Sequence, residues 1–119
     1  MTDSPGKFAV GPLTIGGPQL TIIGGPCMAE SYEVCMPVAT TLQQICADLG
    51  FQYIFKASFD KANRTSAGSV RGFGMHEGLE LIRRGADEIG APATTDVHTE
   101  SQVTTVAAAV DLLQIPALL

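Results

Sequence analysis

The chain is poor in aromatic residues, in positive charge and in uninterrupted apolar sequence. Its 119 residues include no tryptophan, two tyrosines and five phenylalanines, and seven basic residues stand against twelve acidic ones. The formal net charge of -5 argues against binding to nucleic acid or to an anionic membrane, because both require a basic surface. Gly, Pro, Asp or Gln interrupts each apolar stretch well before the roughly 18 residues that a membrane-spanning helix needs. We therefore expect no nucleic-acid partner and no membrane role.

Cysteine is also scarce. Cys27, Cys35 and Cys46 are an odd number, and the sequence opens without a charged and apolar leader, so we expect a reducing, cytoplasmic location and no disulfide framework. A single thiol without a nearby partner is most often a small buried hydrophobe, and this predicts a packing role for Cys27. The same interpretation applies more firmly to Cys35 and Cys46.

Hydrophobic residues make up 45% of the chain, enough for the core of one domain or of part of one, and their spacing alternates between strand and helix patterns. A hairpin is predicted over 7–15. The elements predicted after it are a buried strand near 20–24, a helix with the stripe Val34, Val38, Leu42, Ile45 and Leu49, a strand over 52–57, a loop over 58–74, a helix carrying Leu79, Ile82, Ala86 and Ile89, a strand over 93–96, a helix capped by Thr99 with Val103, Val106 and Val110, and a buried strand in "DLLQIP".

This alternation is typical of a parallel sheet with right-handed crossovers. Both a doubly wound open sheet and part of a (β/α)₈ barrel fit it, and periodicity does not separate them. The segment "GGPCMAE" after the first parallel strand has a proline where a dinucleotide-binding fingerprint would need glycine, which weakens the nucleotide interpretation.

In a barrel, reactive residues gather at the carboxyl ends of the strands. Cys27 follows the first parallel strand, "FKASFDKANR" the second, Asp96 and His98 the third, and Gln114 ends the fourth. Three of the seven basic residues, Lys56, Lys61 and Arg64, lie within ten positions of each other. Lysine and arginine together suit a multiply charged anion, so we expect a small phosphorylated substrate.

Several of these features have simpler interpretations. Lys56 at a strand end can reach water along its alkyl chain, and Lys61, Asn63 and Arg64 can form an ordinary solvated loop. Asp96 and His98 form a D-x-H pair, a weak metal signal, and His76 is expected at the surface. A Schiff-base aldolase using Lys56 also remains open.

Five segments occur in an order and spacing that resemble 3-deoxy-D-manno-octulosonate 8-phosphate synthase. They are "GGPCMAES", "FKASFDKANRTS", "RGFGMHEGLELI", "TTDVHTESQ" and "DLLQIPALL", and together they cover the chain from about Phe8 to Leu119. The resemblance implies a (β/α)₈ barrel that condenses phosphoenolpyruvate with arabinose 5-phosphate in lipopolysaccharide synthesis. The related enzyme that uses erythrose 4-phosphate usually has K-P-R-T where this chain has K-A-N-R, so the asparagine favours the five-carbon sugar.

The resemblance also implies roles for individual residues. Lys61, Gln114, Pro116 and Ala117 would bind phosphoenolpyruvate. Lys56 would lie between the two substrates, and Asp96 near the reacting centre. The sugar phosphate and its hydroxyls would be held by Lys56, Ser58, Asn63, Arg64 and Thr65. We therefore expect Lys56, Lys61 and Asp96 to be the catalytic residues.

Cysteine in the Gly-Pro-Cys context is similar to the metal-dependent class of these enzymes, so the resemblance makes Cys27 a ligand of a divalent ion such as zinc, iron or manganese. The other expected ligands lie in later barrel strands, and a whole barrel needs about 250 residues. The chain is thus expected to be the N-terminal half of a single barrel domain, with the hairpin over 7–15 and the half-barrel over 20–119. It is expected to be inactive alone, from a homo-oligomeric (tetrameric) family. A non-catalytic half-barrel is the remaining alternative.

Overall fold

The computed structural model describes residues 6–59 and 74–116. Two short strands come first, and strands and helices then alternate to the end of the described chain. The elements are β1 (Phe8–Val10), β2 (Leu13–Ile15), β3 (Thr21–Gly24), α1 (Tyr32–Leu49), β4 (Gln52–Lys56), α2 (Met75–Ile89), β5 (Ala93–Asp96), a 3₁₀ turn (Glu100–Gln102), α3 (Val103–Ala109) and β6 (Leu112–Gln114).

The strands β3, β4, β5 and β6 form one parallel sheet in the order of the chain. A doubly wound sheet reverses its strand order at a switch point, and no reversal occurs among the described strands. Sequential right-handed crossovers place successive helices on the same face, and α1 packs against α2 and α2 against α3. The fold is therefore that of the first half of a (β/α)₈ barrel, one of the two architectures predicted.

Capping residues mark the ends of the first two helices. Ser31 accepts a hydrogen bond from the Val34 N–H at 3.2 Å and begins α1. Gly50 and Gly90 end α1 and α2 in the left-handed conformation that glycine adopts without strain, at φ 74° and 69°. Pro37 lies inside α1, and the helix continues through it.

The core lies between the sheet and its helices. Phe55, Phe59, Ile82, Val97 and Val106 are its largest fully buried apolar side chains on that side. The predicted burial pattern holds in α2, where Leu79, Ile82 and Ala86 are buried and Ile89 is half-buried. His76 is exposed, as predicted.

The stripe predicted for α1 is wrong as a description of the buried face. Val34, Ile45 and Leu49 are 43%, 48% and 60% exposed, whereas Cys35, Ala39 and Cys46 are buried. Small side chains at the contact let α1 approach β4 and α2 closely. The Met36 sulfur of α1, for example, lies 3.3 Å from the position that a Cβ atom on Gly85 of α2 would occupy. Helical spacing alone could not choose between two overlapping stripes.

The strands predicted near 20–24 and in "DLLQIP" were expected to be buried, and this is wrong for both. Ile23 of β3 is 48% exposed, and all three residues of β6 are only half-buried. Both strands lie at the outside of the sheet, and neither has a second partner strand among residues 6–59 and 74–116. A strand with an unpaired side exposes side chains that a closed barrel would cover.

The third helix begins as predicted at Thr99, which forms a capping box with Gln102, but its first turn is 3₁₀. The helical stripe is only partly confirmed. Val106 is fully buried, Val103 is 38% exposed, and Val110 follows the last helical residue. The hairpin predicted over 7–15 is confirmed by the antiparallel pairing of β1 with β2. In the part of the chain that the structure describes, no helix combines the length and the apolar character needed to cross a bilayer.

Candidate active site at the carboxyl edge

Alternation along the strands separates core residues from site residues. Phe55, Ala57 and Phe59 belong to the core cluster beside the helices, so Lys56 and Ser58 point to the opposite face of the sheet. Ala93 and Val97 are in the same cluster, which turns Thr94 and Asp96 to that opposite face as well. The register pairs Lys56 with Thr94 and Asp96 with Gln114. These side chains therefore share one face, which we call the inner face, on the side of the sheet away from the helices. They lie at the carboxyl edge, the end of the sheet formed by the last residues of β3 to β6 and those that follow them.

Ser58 and Asp96 are in direct contact at this edge. The Ser58 hydroxyl donates to Asp96 Oδ1 at 2.9 Å, and the other carboxylate oxygen lies 3.8 Å from His98 Nε2. Ser58 is 5% exposed, while the side chains of Asp96 and His98 are 14% and 18% exposed. The His98 ring also meets the Phe59 ring edge-on, with centroids 5.9 Å apart. A carboxylate held in this way is fixed in place and still reaches the open side of the sheet.

The sequence did not predict the contact between Ser58 and Asp96, although it placed both residues at strand ends. The two residues are 38 positions apart, and only the pairing of β4 with β5 brings them together. Thr94 was missed entirely. Its hydroxyl is buried and has no hydrogen-bond partner among residues 6–59 and 74–116. The strand alternation that places Thr94 on the same face as Lys56 is a signal that could have found it.

Cys27 is exposed, so the prediction of a packing role is wrong for this cysteine. The same prediction is confirmed for Cys35 and Cys46, which are buried, and burial raises the pKa of both thiols. Cys27 follows β3 at the carboxyl edge, and its carbonyl oxygen accepts a hydrogen bond from the Ser58 N–H at 3.3 Å. The segment that carries the thiol is therefore attached to the segment that carries Lys56 and Ser58.

Gln114 ends β6 and its carbonyl oxygen accepts from the Val97 N–H at 3.2 Å. This bond ties the fourth strand to the residue after Asp96, and Pro116 follows two positions later. Of the predicted site residues, the structure thus brings together Lys56, Ser58, Asp96 and Gln114, with Cys27 and Pro116 at the same edge. The predictions for Lys61, Asn63, Arg64, Thr65 and Ala117 lie outside the described residues.

A metal site is not complete in the part of the chain that can be described. Residues 6–59 and 74–116 contain no group of three His, Cys, Asp or Glu side chains placed to hold one ion. Cys27 offers one exposed sulfur, and Asp96 with His98 forms a separate pair. The donors fit a site to which this segment contributes a single ligand.

Another groove among the described residues lies away from the carboxyl edge. It has a volume of about 730 Å³ on the outer side, between α2 and α3. Arg83 lies in it and is already paired with Asp87 and Asp111, both at 2.9 Å. None of the predicted site residues lines this groove, so its size does not make it the better candidate.

Comparison with known proteins decides the family. The family model described as "DAHP synthetase I family" matches residues 7–119. The chain belongs to this family. Its members are (β/α)₈ barrels, in agreement with the strand order and the single layer of helices.

Three curated relatives are named 2-dehydro-3-deoxyphosphooctonate aldolase. The protein from a Synechococcus strain is 47% identical over 113 residues, covering 95% of this chain and 38% of the relative. The Koribacter versatilis protein is 49% identical over 112 residues, covering 94% and 40%. The Dechloromonas aromatica protein is 53% identical over 98 residues, covering 82% and 35%. The chain thus spans about two fifths of the length of the curated relatives it matches.

Proposed function

We propose that residues 1–119 form the N-terminal part of one barrel domain whose complete form is a 3-deoxy-8-phosphooctulonate synthase. The reaction joins C3 of phosphoenolpyruvate to the aldehyde carbon of arabinose 5-phosphate, adds water at C2 and releases phosphate. The observation that carries the proposal is the convergence of Lys56, Ser58, Asp96 and Gln114 on one face of the carboxyl edge. The names of the relatives support the same reaction.

The proposal assigns two anion-binding halves to this edge. Lys61, Gln114, Pro116 and Ala117 bind phosphoenolpyruvate, and Asn63, Arg64 and Thr65 bind the sugar phosphate. Lys56 stands between the two substrates, with Ser58 on the same wall. Fixed cationic groups stabilise the charge that develops on phosphate and carboxylate oxygens without reorganising during the reaction. Both halves are needed, because each substrate carries a phosphate.

Asp96 is proposed to act at the reacting centre. Its carboxylate is oriented by the Ser58 hydroxyl at 2.9 Å, and 14% of its side chain remains exposed. A carboxylate so placed accepts a hydrogen bond or a proton from a hydroxyl group or a water molecule beside the sugar aldehyde. Lys56, the register partner of Thr94 on the adjacent strand, supplies the positive charge nearby. These roles require both residues on the same face of the sheet, and the alternation along β4 and β5 supports that placement.

Cys27 is proposed as one ligand of a divalent ion, with the remaining ligands contributed from outside residues 1–119. The sulfur is exposed and lies in the segment hydrogen-bonded to Ser58, which fits a ligand at the rim of the substrate site. When bound, such an ion supplies Lewis-acid polarisation of an oxygen atom. We also propose that the complete enzyme works in the cytoplasm as a homo-oligomer.

A second candidate is the corresponding synthase for erythrose 4-phosphate, because the matching family is described as DAHP synthetase I. The "KANR" segment favours arabinose 5-phosphate. A chimaera tests both: residues 7–119 of this chain replace the matching segment of the Koribacter versatilis relative. Phosphate release from phosphoenolpyruvate is then measured with each sugar, and the relative itself serves as the control.

We expect turnover with arabinose 5-phosphate at least about tenfold faster than with erythrose 4-phosphate, since a missing hydrogen-bonded hydroxyl group leaves site groups unpaired. The reverse preference would replace the first candidate by the second. A folded chimaera inactive with both sugars would contradict both candidates. A borohydride-trapped adduct on Lys56 would instead indicate a Schiff-base aldolase.

A further inference from the structure

β3 and β4, together with the residues that follow each strand, pair at two places. Between these two places, one chain segment is longer than the other. The last regular pair is Gly24 with Phe55, and pairing resumes between Met28 and Ser58. Met28 is four residues after Gly24, whereas Ser58 is three residues after Phe55. The segment of residues 25–27 therefore holds one residue more than the segment opposite it. This is a bulge in a parallel pair, a feature that commonly redirects side chains beside active sites.

The bulge is fixed by hydrogen bonds at its far end. The Ser58 N–H donates to the Cys27 carbonyl at 3.3 Å, and the Ala29 N–H donates to the Ser58 carbonyl at 2.9 Å. Met28 and Ala29 are 4% and 1% exposed, while Cys27 beside them is exposed. The extra residue thus leaves the thiol outside the core without disturbing the buried positions that follow it.

Gly25 is the residue that lets this segment lie against β4. A Cβ atom at this position would be 1.8 Å from the Lys56 carbonyl oxygen and 2.9 Å from the Lys56 carbonyl carbon. Backbone atoms of a strand cannot move aside as the end of a flexible side chain can. At Gly24, by contrast, the one atom of the described residues within 4 Å of a Cβ would be Leu42 Cδ1, at 3.4 Å. Two adjacent glycines therefore have different requirements for space.

We propose that Gly25 is a positioning residue of the carboxyl edge. Its missing side chain lets the bulge cross directly over the Lys56 carbonyl group, and this contact sets the Cys27 and Ser58 segments side by side. The use of the Cys27 thiol as a metal ligand rests on the proposed function. The placement of the bulge does not, so it is tested without any measurement of activity.

The test is amide hydrogen exchange in the 119-residue chain, comparing wild type, Gly25→Ala and the matched control Gly24→Ala. In Gly25→Ala, we expect the Ala29 and Ser58 amides to exchange at least about tenfold faster, because both bonds depend on the crossing. The Phe55 amide, which donates to the Pro92 carbonyl at 2.9 Å within the sheet, should keep its rate. Gly24→Ala should leave all three rates within about twofold.

A role in overall stability alone would accelerate all three amides together, and that result in Gly25→Ala would overturn the proposal. Unchanged Ala29 and Ser58 rates would overturn it as well. If Gly25→Ala does not fold, the bulge is tested in the wild-type chain by hydrogen exchange and by alkylation of the cysteines.

Two results would support the bulge. The Ala29 and Ser58 amides should exchange more slowly than those of an open segment, and Cys27 should be alkylated faster than Cys35 and Cys46. Open-segment rates at both amides, or a Cys27 as slow as the buried cysteines, contradict it.

Discussion

The two ends of the parallel sheet use polar side chains in opposite ways. At the amino end, Gln52 exchanges hydrogen bonds with the Thr14 backbone and donates to the Thr21 hydroxyl. Asp111 accepts from the Ala93 N–H at 2.8 Å and from Arg83 at 2.9 Å. These groups connect elements to one another. At the carboxyl edge, Asp96 and Lys56 remain partly exposed toward the inner face, where a ligand can reach them.

One sheet thus keeps the groups that stabilise the fold apart from the groups available for chemistry. Polar groups at the amino end form hydrogen bonds within the fold, so their loss should lower the free energy of unfolding. Polar groups at the carboxyl edge are held in place but kept available, so their loss should weaken a reaction. The same division holds for barrels in general, where the carboxyl face carries catalysis and the amino face stability.

The largest expected effect concerns Lys56. In the chimaera, Lys56→Ala should lower turnover at least about 100-fold, because it removes a fixed cation beside two anionic substrates. The melting temperature should stay close to that of the parent. Lys7→Ala, which removes an exposed lysine beside the hairpin, is the control and should keep full turnover. Comparable turnover in the two variants would place the chemistry away from this edge.

Asp111 at the opposite end should show the reverse behaviour. Asp111→Ala removes the acceptor of the Ala93 N–H and the partner of Arg83, and should lower the free energy of unfolding by about 1–3 kcal/mol. Denaturant titration measures this loss. The KM values of the folded chimaera should change less than about twofold. A large loss of turnover with unaltered stability would remove the distinction between the two ends.

The stabilising role of Asp111 should also depend on pH. Burial opposes ionisation of Asp111, but the Ala93 N–H and Arg83 outweigh it, and the pKa of this carboxyl lies below its ordinary value. Its stabilising contribution is therefore complete above the unfolded-state pKa of about 4 and is lost as pH falls through the folded-state pKa. Urea midpoints between about pH 5 and pH 2 should fall more steeply for wild type than for Asp111→Asn. Parallel curves would show that this carboxyl does not stabilise the fold.

The smallest effect is expected at Thr94. Its hydroxyl is buried without a hydrogen-bond partner in the part of the chain that the structure describes, and Thr94→Val replaces it by a methyl group of similar size. We expect the free energy of unfolding to stay the same or rise by up to about 1 kcal/mol, since no protein hydrogen bond is broken. Thr95→Val, which removes the bond from Thr95 to the Ala57 carbonyl at 2.7 Å, is the matched control and should destabilise. A loss of more than about 1 kcal/mol in Thr94→Val would reveal a partner for this hydroxyl.

Much of the fold was predictable because it rests on local signals. Apolar spacing gave α2, glycines in left-handed conformation end α1 and α2, and the alternation of strands with helices gave the parallel sheet. Burial was harder. Val34 and Ile23 are apolar residues in well-predicted elements, yet they are exposed, because their burial depends on neighbours distant in the chain.

The placement of the candidate site residues was predictable in the same partial way. Strand ends identified Lys56, Asp96 and Gln114, since only the order of elements is needed to place them at one edge. The hydrogen bond between Ser58 and Asp96 and the bulge at Gly25 were not predictable, because each depends on register across β4. The exposure of Cys27 follows from that bulge and not from its sequence context.

Phosphoenolpyruvate-dependent turnover of the chimaera carrying Lys61→Ala tests whether the carboxyl edge is the substrate site. If the carboxyl edge binds both phosphorylated substrates, turnover with arabinose 5-phosphate should fall at least about 100-fold while the melting temperature is kept. Turnover equal to that of the unsubstituted chimaera, in a variant of unchanged stability, would contradict the assignment of this edge to the reaction.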